Sequence, residues 1–188
     1  METPARRRVP RLDPRTYDAV VALGLFVVLV GGYGQVPLAG QRPVDAAAWL
    51  LGVLLAAPYA VHRRMPWAAL AVSLGALVVF SVLRYAPYPG VPVFVLLFGI
   101  TLHGTRRHSL VALVATTLAF LVSLAAQPAG VVLVGDWSAT LLATAVAWLA
   151  GDNLRQRRLR WASLEERTRM LEREREDRAR ATVSAERL

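Results

Sequence analysis

Apolar residues are gathered into long blocks along this chain rather than spread at amphipathic spacing. Residues 19–30, 44–61 and 109–126 contain almost no charged side chain. The helices and strands of a soluble domain of this size would alternate apolar and polar positions, whereas unbroken apolar blocks are typical of segments buried in lipid. The pattern therefore predicts an integral membrane protein.

The blocks predict an all-α, polytopic fold with six transmembrane helices, because a β-barrel would require alternation. The predicted spans are residues 17–35, 44–61, 67–83, 91–102, 109–126 and 137–151. Span four is short: its apolar run extends only ~18 Å at helical rise, against ~30 Å of hydrocarbon. It must include flanking residues to cross, and a re-entrant segment is the alternative.

The positive charge of the chain lies on alternate loops. All 22 basic residues are Arg, and the formal net charge is +9. The excess falls on the N-terminal arm, the Arg63/Arg64 and Arg106/Arg107 loops and the C-terminal tail, as the positive-inside rule requires. We therefore expect a bacterial cytoplasmic membrane protein with both termini in the cytoplasm. Because topology explains the charge, no nucleic-acid partner is expected.

The composition changes after Gly151, where Arg and Glu begin to alternate. No Pro or Gly interrupts residues 152–188, and Glu165/Arg169, Glu174/Arg178 and Glu176/Arg180 are favourable i,i+4 pairs. The sequence thus predicts three parts: a basic arm (1–16), a six-span membrane domain (17–151) and a cytoplasmic signalling helix (152–188).

A heptad register in the charged helix predicts a parallel homodimeric coiled coil, with a single solvated helix as the alternative. Its seam is firm in the middle and loosened by two distal arginines. The predicted seam residues are Leu154, Trp161, Leu164, Thr168, Leu171, Arg175 and Arg178.

Small residues recur every four positions along span six. This strip permits close helix approach in lipid, either between two copies of the chain or against another span of the same chain. The strip consists of Ala139, Ala143, Ala147 and Gly151.

Side chains that support catalysis are not arranged into any known motif. There is no nucleotide-binding loop, no paired carboxylates inside the apolar blocks and no cysteine. His62, His103 and His108 all lie at span ends beside Arg, where interfacial packing is the simpler interpretation and a pH-sensing or ligand role the alternative. Six aromatic residues near span ends are expected to form an interfacial belt: Tyr17, Trp67, Tyr85, Tyr88, Trp137 and Trp148. The sequence predicts no enzyme and no cofactor within these residues.

The chain resembles the amino-terminal half of an actinobacterial sensor histidine kinase of the nitrate-sensor-like class. Three features carry the likeness: the Arg-rich arm, the segment APYAVHRRMPWAAL at residues 57–70, and the charged helix ending in AERL at residues 185–188. In that class a similar helix leads into the phosphoacceptor histidine box and an ATP-binding domain. The resemblance implies that ATP and Mg²⁺ would be used only by a kinase core beyond Leu188.

This resemblance implies a membrane input and dimerisation module that relays an intramembrane or envelope signal to such a core. Its partners would be a second copy, the bilayer, a response regulator reached through the core, and a neighbouring membrane protein as a further possibility. A stand-alone channel or transporter, or a bare anchor scaffold, is the alternative.

Overall fold

A helix forms over each of the six apolar blocks. The computed structural model describes residues 13–34, 37–86, 89–128 and 133–186. Its elements are α1 (Pro14–Gly32), α2 (Ala46–Ala56), a 3-10 helix (Ala57–Val61), α3 (Pro66–Val82), α4 (Val91–His103), α5 (Arg106–Ala125) and α6 (Val134–Glu186). No strand occurs in these described ranges, where Arg42 and Tyr85 form an isolated bridge. The predicted all-α class is confirmed.

Local side chains explain where several helices begin. Asp45 accepts hydrogen bonds from the backbone N–H groups of Ala47 and Ala48, so α2 begins at Ala46 and not at the predicted residue 44. Thr105 caps α5 through the N–H of His108. At the start of α6 the Asp136 carboxylate accepts from the N–H of Leu133, as half of a capping box does.

Span two differs from the uniform helix expected of residues 44–61. The α-helix ends at Ala56 and the chain continues as a 3-10 helix through Pro58. Proline lacks an N–H and its ring clashes with the carbonyl four residues earlier, so an α-helix cannot continue through it undisturbed. The tighter turn brings Tyr59 and His62 into the protein interior.

The short helix α4 lies in the centre of the bundle. It contacts α1, α2, α3, α5 and α6, and Val93, Leu96 and Leu97 are fully buried. One cluster of core residues surrounds the Leu96 end of α4 and includes Tyr59 and Ala112. A second cluster, around Phe80, Tyr85 and Phe120, surrounds its Val93 end.

Large apolar side chains project from the outer faces of α1 and α5. Leu23, Val27, Val114 and Leu118 are all more than half exposed. In the described part of the chain, two helical segments are long and apolar enough to cross a membrane, Arg15–Gly32 and Arg106–Ala125. The apolar stretches Ala46–Val61, Pro66–Val82 and Val91–His103 are shorter.

Helix α6 is continuous for 53 residues. It passes without a break through residues 151 and 152, where the sequence divides the membrane domain from the charged helix. Its first half packs on α4 and α5, whereas the described side chains from Gln156 to Arg173 are exposed. The same helix therefore belongs both to the bundle and to the extension that leaves it.

Candidate functional site

All three histidines of the chain meet at one end of the bundle. His62 follows the 3-10 helix, His103 is the last residue of α4 and His108 lies in the first turn of α5. The His62 and His103 rings are 5.9 Å apart between centroids, and the His108 ring meets the edge of Trp67 at 5.2 Å. Three separate segments thus contribute imidazoles to one place.

These rings line an open cavity with a volume of about 70 Å³. We call it the histidine cavity. Its walls combine the imidazoles with an arginine, an indole and apolar surface. The lining residues are His62, Arg63, Pro66, Trp67, Gly99, Ile100, His103, Gly104 and His108.

His62 is the most deeply buried titratable group of the cavity, with 2% of its surface exposed. Its Nδ1 lies 2.6 Å from the carbonyl oxygen of Tyr59. Because a carbonyl only accepts, Nδ1 carries the hydrogen and Nε2 of the neutral ring has a free lone pair. That Nε2 atom is buried and has no hydrogen-bond partner among the described residues.

Burial lowers the pKa of His62 below its ordinary value. The Tyr59 carbonyl and the Asp18 carboxylate oppose this shift, while His103 and Arg63 reinforce it. The balance favours the neutral imidazole. His103 donates in the same way, since its Nδ1 lies 2.9 Å from the carbonyl oxygen of Gly99 and a carbonyl only accepts.

A partly buried ion pair lies beside the cavity. The guanidinium of Arg63 bonds both carboxylate oxygens of Asp18, at 2.6 and 2.8 Å. Asp18 is 3% exposed. The pair joins the loop after the 3-10 helix to α1, and it neutralises the charge of Arg63, which lines the cavity beside His62.

The cavity is joined to α6 through the turn between α4 and α5. Arg155 of α6 donates to the carbonyl oxygen of Gly104 and to the carboxylate of Asp152. One turn earlier, Gly151 packs against Thr101, and a Cβ atom there would lie 2.9 Å from the Thr101 Cβ. His103 and Gly104 also line a second cleft together with Arg155 and Arg158.

A family model described as "Domain of unknown function (DUF7134)" matches residues 6–158. The chain belongs to the DUF7134 family. The matched DUF7134 region contains the bundle, the histidine cavity and the first turns of α6 beyond it. No curated protein and no solved structure matches the chain.

The predicted seam residues of the DUF7134 chain from Leu154 to Leu171 lie on the exposed part of α6. Trp161 is 72% exposed, Leu164 53% and Leu171 56%. Leu154 and Thr168 are also exposed, and the Thr168 hydroxyl donates to the Leu164 carbonyl. The side chains of Arg175 and Arg178 lie outside the described residues. The predicted pair Glu165/Arg169 is formed, whereas Glu174/Arg178 and Glu176/Arg180 involve side chains outside the described set.

The small-residue strip of span six is divided between two environments. Gly151 is buried against α4, and Ala147 packs on the core cluster at the Leu96 end of α4. Ala143 is half-buried and Ala139 is exposed. The half of the strip formed by Ala147 and Gly151 therefore packs within the chain, which is one of the two alternatives given by the sequence.

At the opposite end of the bundle, a group of polar side chains makes contacts that were not predicted from the sequence. The Tyr85 hydroxyl donates to the Asp45 carboxylate at 2.7 Å, and the Arg42 guanidinium lies over the Tyr85 ring. Tyr85 is 1% exposed, so the prediction that it belongs to an interfacial belt is wrong. Trp148 likewise points inward and donates to the Ser109 hydroxyl.

Metal-ligating side chains do not converge in the described part of the chain: no three His, Asp or Glu residues there lie close enough to hold an ion. The histidine spacing gave no sign of the cavity, because each residue comes from a different segment. One pattern could have indicated the cavity. Every histidine lies near an Arg, at the end of a predicted span, and all of these span ends are on the same side of the membrane.

Proposed function

We propose that this DUF7134 chain is the transmembrane input and dimerisation module of a two-component sensor histidine kinase. In this proposal six spans cross the bacterial cytoplasmic membrane, and both termini lie in the cytoplasm. Helix α6 carries the signal to a kinase core, which binds ATP and Mg²⁺ and phosphorylates a response regulator. No catalytic step is assigned to the residues of this chain.

The continuity of α6 is the observation that carries the proposal. One helix packs in the bundle up to Gly151 and Arg155, then extends as a charged helix with apolar residues at the predicted seam positions. An exposed seam of this kind is stable when it pairs with an identical helix. A rigid helix with one end in the membrane domain and the other in a coiled coil is suited to relaying a displacement.

The distribution of polarity supports a membrane setting for the whole bundle. Exposed leucines and valines cover the outside, while Ser73, Ser81, Thr101, Thr116 and Ser123 are completely buried. In lipid the outside must be apolar, and small polar residues in the interior help helices to pack closely. This pattern favours helices surrounded by lipid on every side.

The short connections limit the kind of stimulus. On the proposed outer side, residues 33–45, 83–90 and 126–133 connect successive helices. None is long enough to form a folded outer domain, so the signal would be a lipid-phase property, a small ligand or a neighbouring membrane protein.

Topology is tested by single-cysteine labelling, which has no background because the chain contains no cysteine. We expect positions 40, 87 and 129 to react from outside and positions 64, 106 and 157 only from inside. Protection of position 129 in intact cells, with position 157 reactive from outside, would contradict six crossings.

Dimerisation is tested with two matched double variants. Leu164→Ala with Leu171→Ala removes seam leucines, each of which contributes roughly 1.5 to 3 kcal/mol when buried. Leu159→Ala with Met170→Ala removes equally exposed side chains that lie off the seam. We expect loss of cysteine crosslinking at position 161 in the first variant alone. Equal crosslinking in the two variants would refute the seam.

The relay to a kinase is tested in a fusion of the full chain to a histidine kinase core. Arg175→Leu with Arg178→Leu should tighten the distal seam and fix phosphorylation in one state. A fusion whose phosphorylation still responds to stimulus as the unmodified one does would refute a loosened seam as the switch. Solute flux into liposomes that contain the purified chain would favour the channel or transporter alternative.

A further inference from the structure

An open cleft lies where α6 leaves the bundle, between that helix and the turn that joins α4 to α5. Its volume is about 420 Å³, which is within the range of roughly 300 to 1,000 Å³ for small-molecule sites. We call it the arginine cleft. Its walls include Leu102, Gly104 and Thr105 on one side and Arg155, Arg158 and Leu159 of α6 on the other.

The two arginines of the cleft differ in how their charge is balanced. Arg155 is mostly buried, and it donates to the Asp152 carboxylate and to the carbonyl oxygen of Gly104. Arg158 is exposed, and it makes no ion pair within the described part of the chain. No acid lies three or four residues before or after Arg158 in the sequence. The cleft therefore has a cation that its own helix does not neutralise.

Positive charge is concentrated around the cleft. Residues 153–164 contain four arginines and no acid, whereas arginines and acids are mixed from Glu165 onwards. Arg106 and Arg107 are exposed in the first turn of α5, which contains no acidic residue. At helical rise, Glu165 lies about 21 Å beyond Gly151. The excess charge is thus confined to the part of α6 nearest the bundle, which favours an anionic partner at that level.

We propose that the arginine cleft binds the headgroup of an anionic phospholipid of the inner leaflet. The phosphodiester oxygens accept hydrogen bonds from the Arg158 guanidinium, and the glycerol end of the headgroup lies beside Leu102. Binding involves no covalent step. The inner-leaflet placement rests on the proposed membrane topology, whereas the affinity of the cleft for the headgroup does not.

The order of side chains along the cleft matches the order of groups in a lipid. Leu102 lies at the level of Gly151, because its neighbour Thr101 contacts that glycine. Arg155 and Arg158 follow about 6 and about 11 Å further along the helix axis. Headgroups occupy roughly 5 to 8 Å on each side of the hydrocarbon, and helical side chains lean toward the N-terminus, here toward the bundle. With Gly151 at the hydrocarbon edge, both guanidinium groups reach the phosphate layer.

The chemistry of the cleft favours a lipid with a net negative charge. A guanidinium group is always charged and presents paired N–H donors that suit phosphate oxygens. A zwitterionic lipid also has a phosphate, but its ammonium group would lie among Arg106, Arg107 and Arg158. Basic pockets between helices on the cytoplasmic side of membrane proteins are known to bind anionic headgroups.

The test is a lipid titration into the full chain, delipidated in a neutral detergent, with bound lipids counted by native mass spectrometry. Phosphatidylglycerol is compared with phosphatidylcholine of the same acyl chains, since both have a phosphodiester and only the first has a net charge. We expect the first phosphatidylglycerol to bind about fivefold more tightly, the factor that one arginine contributes near an anionic lipid surface. Equal affinities of the two lipids would overturn the proposal.

A matched pair of substitutions locates the site. Arg158→Gln removes the unpaired cation of the cleft, whereas Arg160→Gln removes an arginine that is also exposed and does not line the cleft. We expect Arg158→Gln to abolish the roughly fivefold preference and Arg160→Gln to change it by less than about twofold. Circular dichroism would verify that both variants fold.

Arg158→Lys keeps the positive charge and should retain most of the preference for phosphatidylglycerol. If Arg158→Lys lost as much of it as Arg158→Gln, recognition of the headgroup by charge would be refuted. Equal losses in the two glutamine variants would indicate a general attraction to the basic surface and would refute the site.

Further arms separate soluble anions and the membrane placement. Binding of inorganic phosphate or glycerol 3-phosphate that depends on Arg158, in a chain without preference for phosphatidylglycerol, would overturn the proposal in favour of a soluble ligand. Phosphatidylglycerol binding that depends on Arg158, with position 157 labelled from outside, upholds the cleft and contradicts both the inner-leaflet placement and the proposed topology. Six crossings shown by labelling, in a chain that does not bind phosphatidylglycerol, support the proposed topology and refute this site.

Discussion

The contact between Gly151 and α4 makes a sharp test of how α6 is held in the bundle. A Cβ atom added at Gly151 would lie 2.9 Å from the Thr101 Cβ, 3.0 Å from its Cγ2 and 3.0 Å from the Phe98 carbonyl oxygen. Two of these three neighbours are backbone or the first side-chain atom, so they cannot move aside alone. Gly151→Ala should therefore push the two helices apart.

Two opposing effects determine how much Gly151→Ala changes the free energy of unfolding. In a helix interior, Ala is favoured over Gly by up to about 1 kcal/mol. Overpacking of a tight contact costs about 1 to 3 kcal/mol. We expect the second effect to exceed the first, so that Gly151→Ala lowers the free energy of unfolding by about 1 to 2 kcal/mol.

The control is Gly75→Ala in α3, where an added Cβ would meet no atom within 4 Å. This substitution has the helix-propensity gain without the clash, so its stability should equal or exceed that of the unmodified chain. Both variants would be compared by reversible unfolding in mixed detergent micelles, monitored by circular dichroism. If Gly151→Ala were as stable as Gly75→Ala, the close approach of α6 and α4 described above would be wrong.

Three other predictions concern the charged groups at the two ends of the bundle. Arg63→Ala should destabilise the fold by on the order of 3 kcal/mol, because it leaves the buried Asp18 carboxylate unpaired; adding Asp18→Asn should restore most of the loss in the same unfolding assay. The Tyr85 hydroxyl, followed by the backbone N–H groups of α2, lowers the pKa of Asp45. The stability that Asp45 contributes is therefore present above its unfolded pKa of about 3.9 and lost as pH falls through the lower folded value. In Asp45→Asn the melting temperature should no longer fall across that acidic pH range. Near neutral pH it should not vary with pH. Burial lowers the pKa of His62, so its contribution is present above about pH 6.5 and is lost on acidification; in His62→Gln the melting temperature should not fall between pH 7 and pH 5.5 as it does in the unmodified chain.

The helices could be predicted from sequence because one physical signal dominates them. Uninterrupted apolar blocks separated by Pro, Gly and Arg define the ends of each element to within a few residues, and α1, α3 and α5 begin about where the blocks begin. The break at Pro58 was not predicted, because the consequence of this proline depends on what surrounds it. The 3-10 turn is stabilised by tertiary burial of Tyr59 and His62, which no local pattern reports.

The candidate site could not be predicted because its parts are distant in sequence. His62 and His103 are brought to 5.9 Å by the packing of the 3-10 segment on α4, and that packing requires Gly99, where a Cβ would lie 3.0 Å from Nε2 of His62. The Asp45–Tyr85 bond joins two connections forty residues apart. Both contacts depend on the arrangement of helices, about which apolar blocks in lipid contain little information.

The fit at Gly151 also restricts how α6 can move. A shift by one helical turn would place Ala147 or Arg155 opposite Thr101, and either residue carries a Cβ atom where the present contact leaves no space. Rotation about the Gly151 contact keeps the glycine in place, and it requires the Arg155 bond to Gly104 to bend or break. We therefore expect α6 to pivot about Gly151 rather than slide as a piston. Spin labels at positions 142 and 164, each paired with a reference label in α3, should show distance changes of opposite sign when the input state changes. Changes of equal sign and size at both positions would refute the pivot and indicate translation along the helix axis.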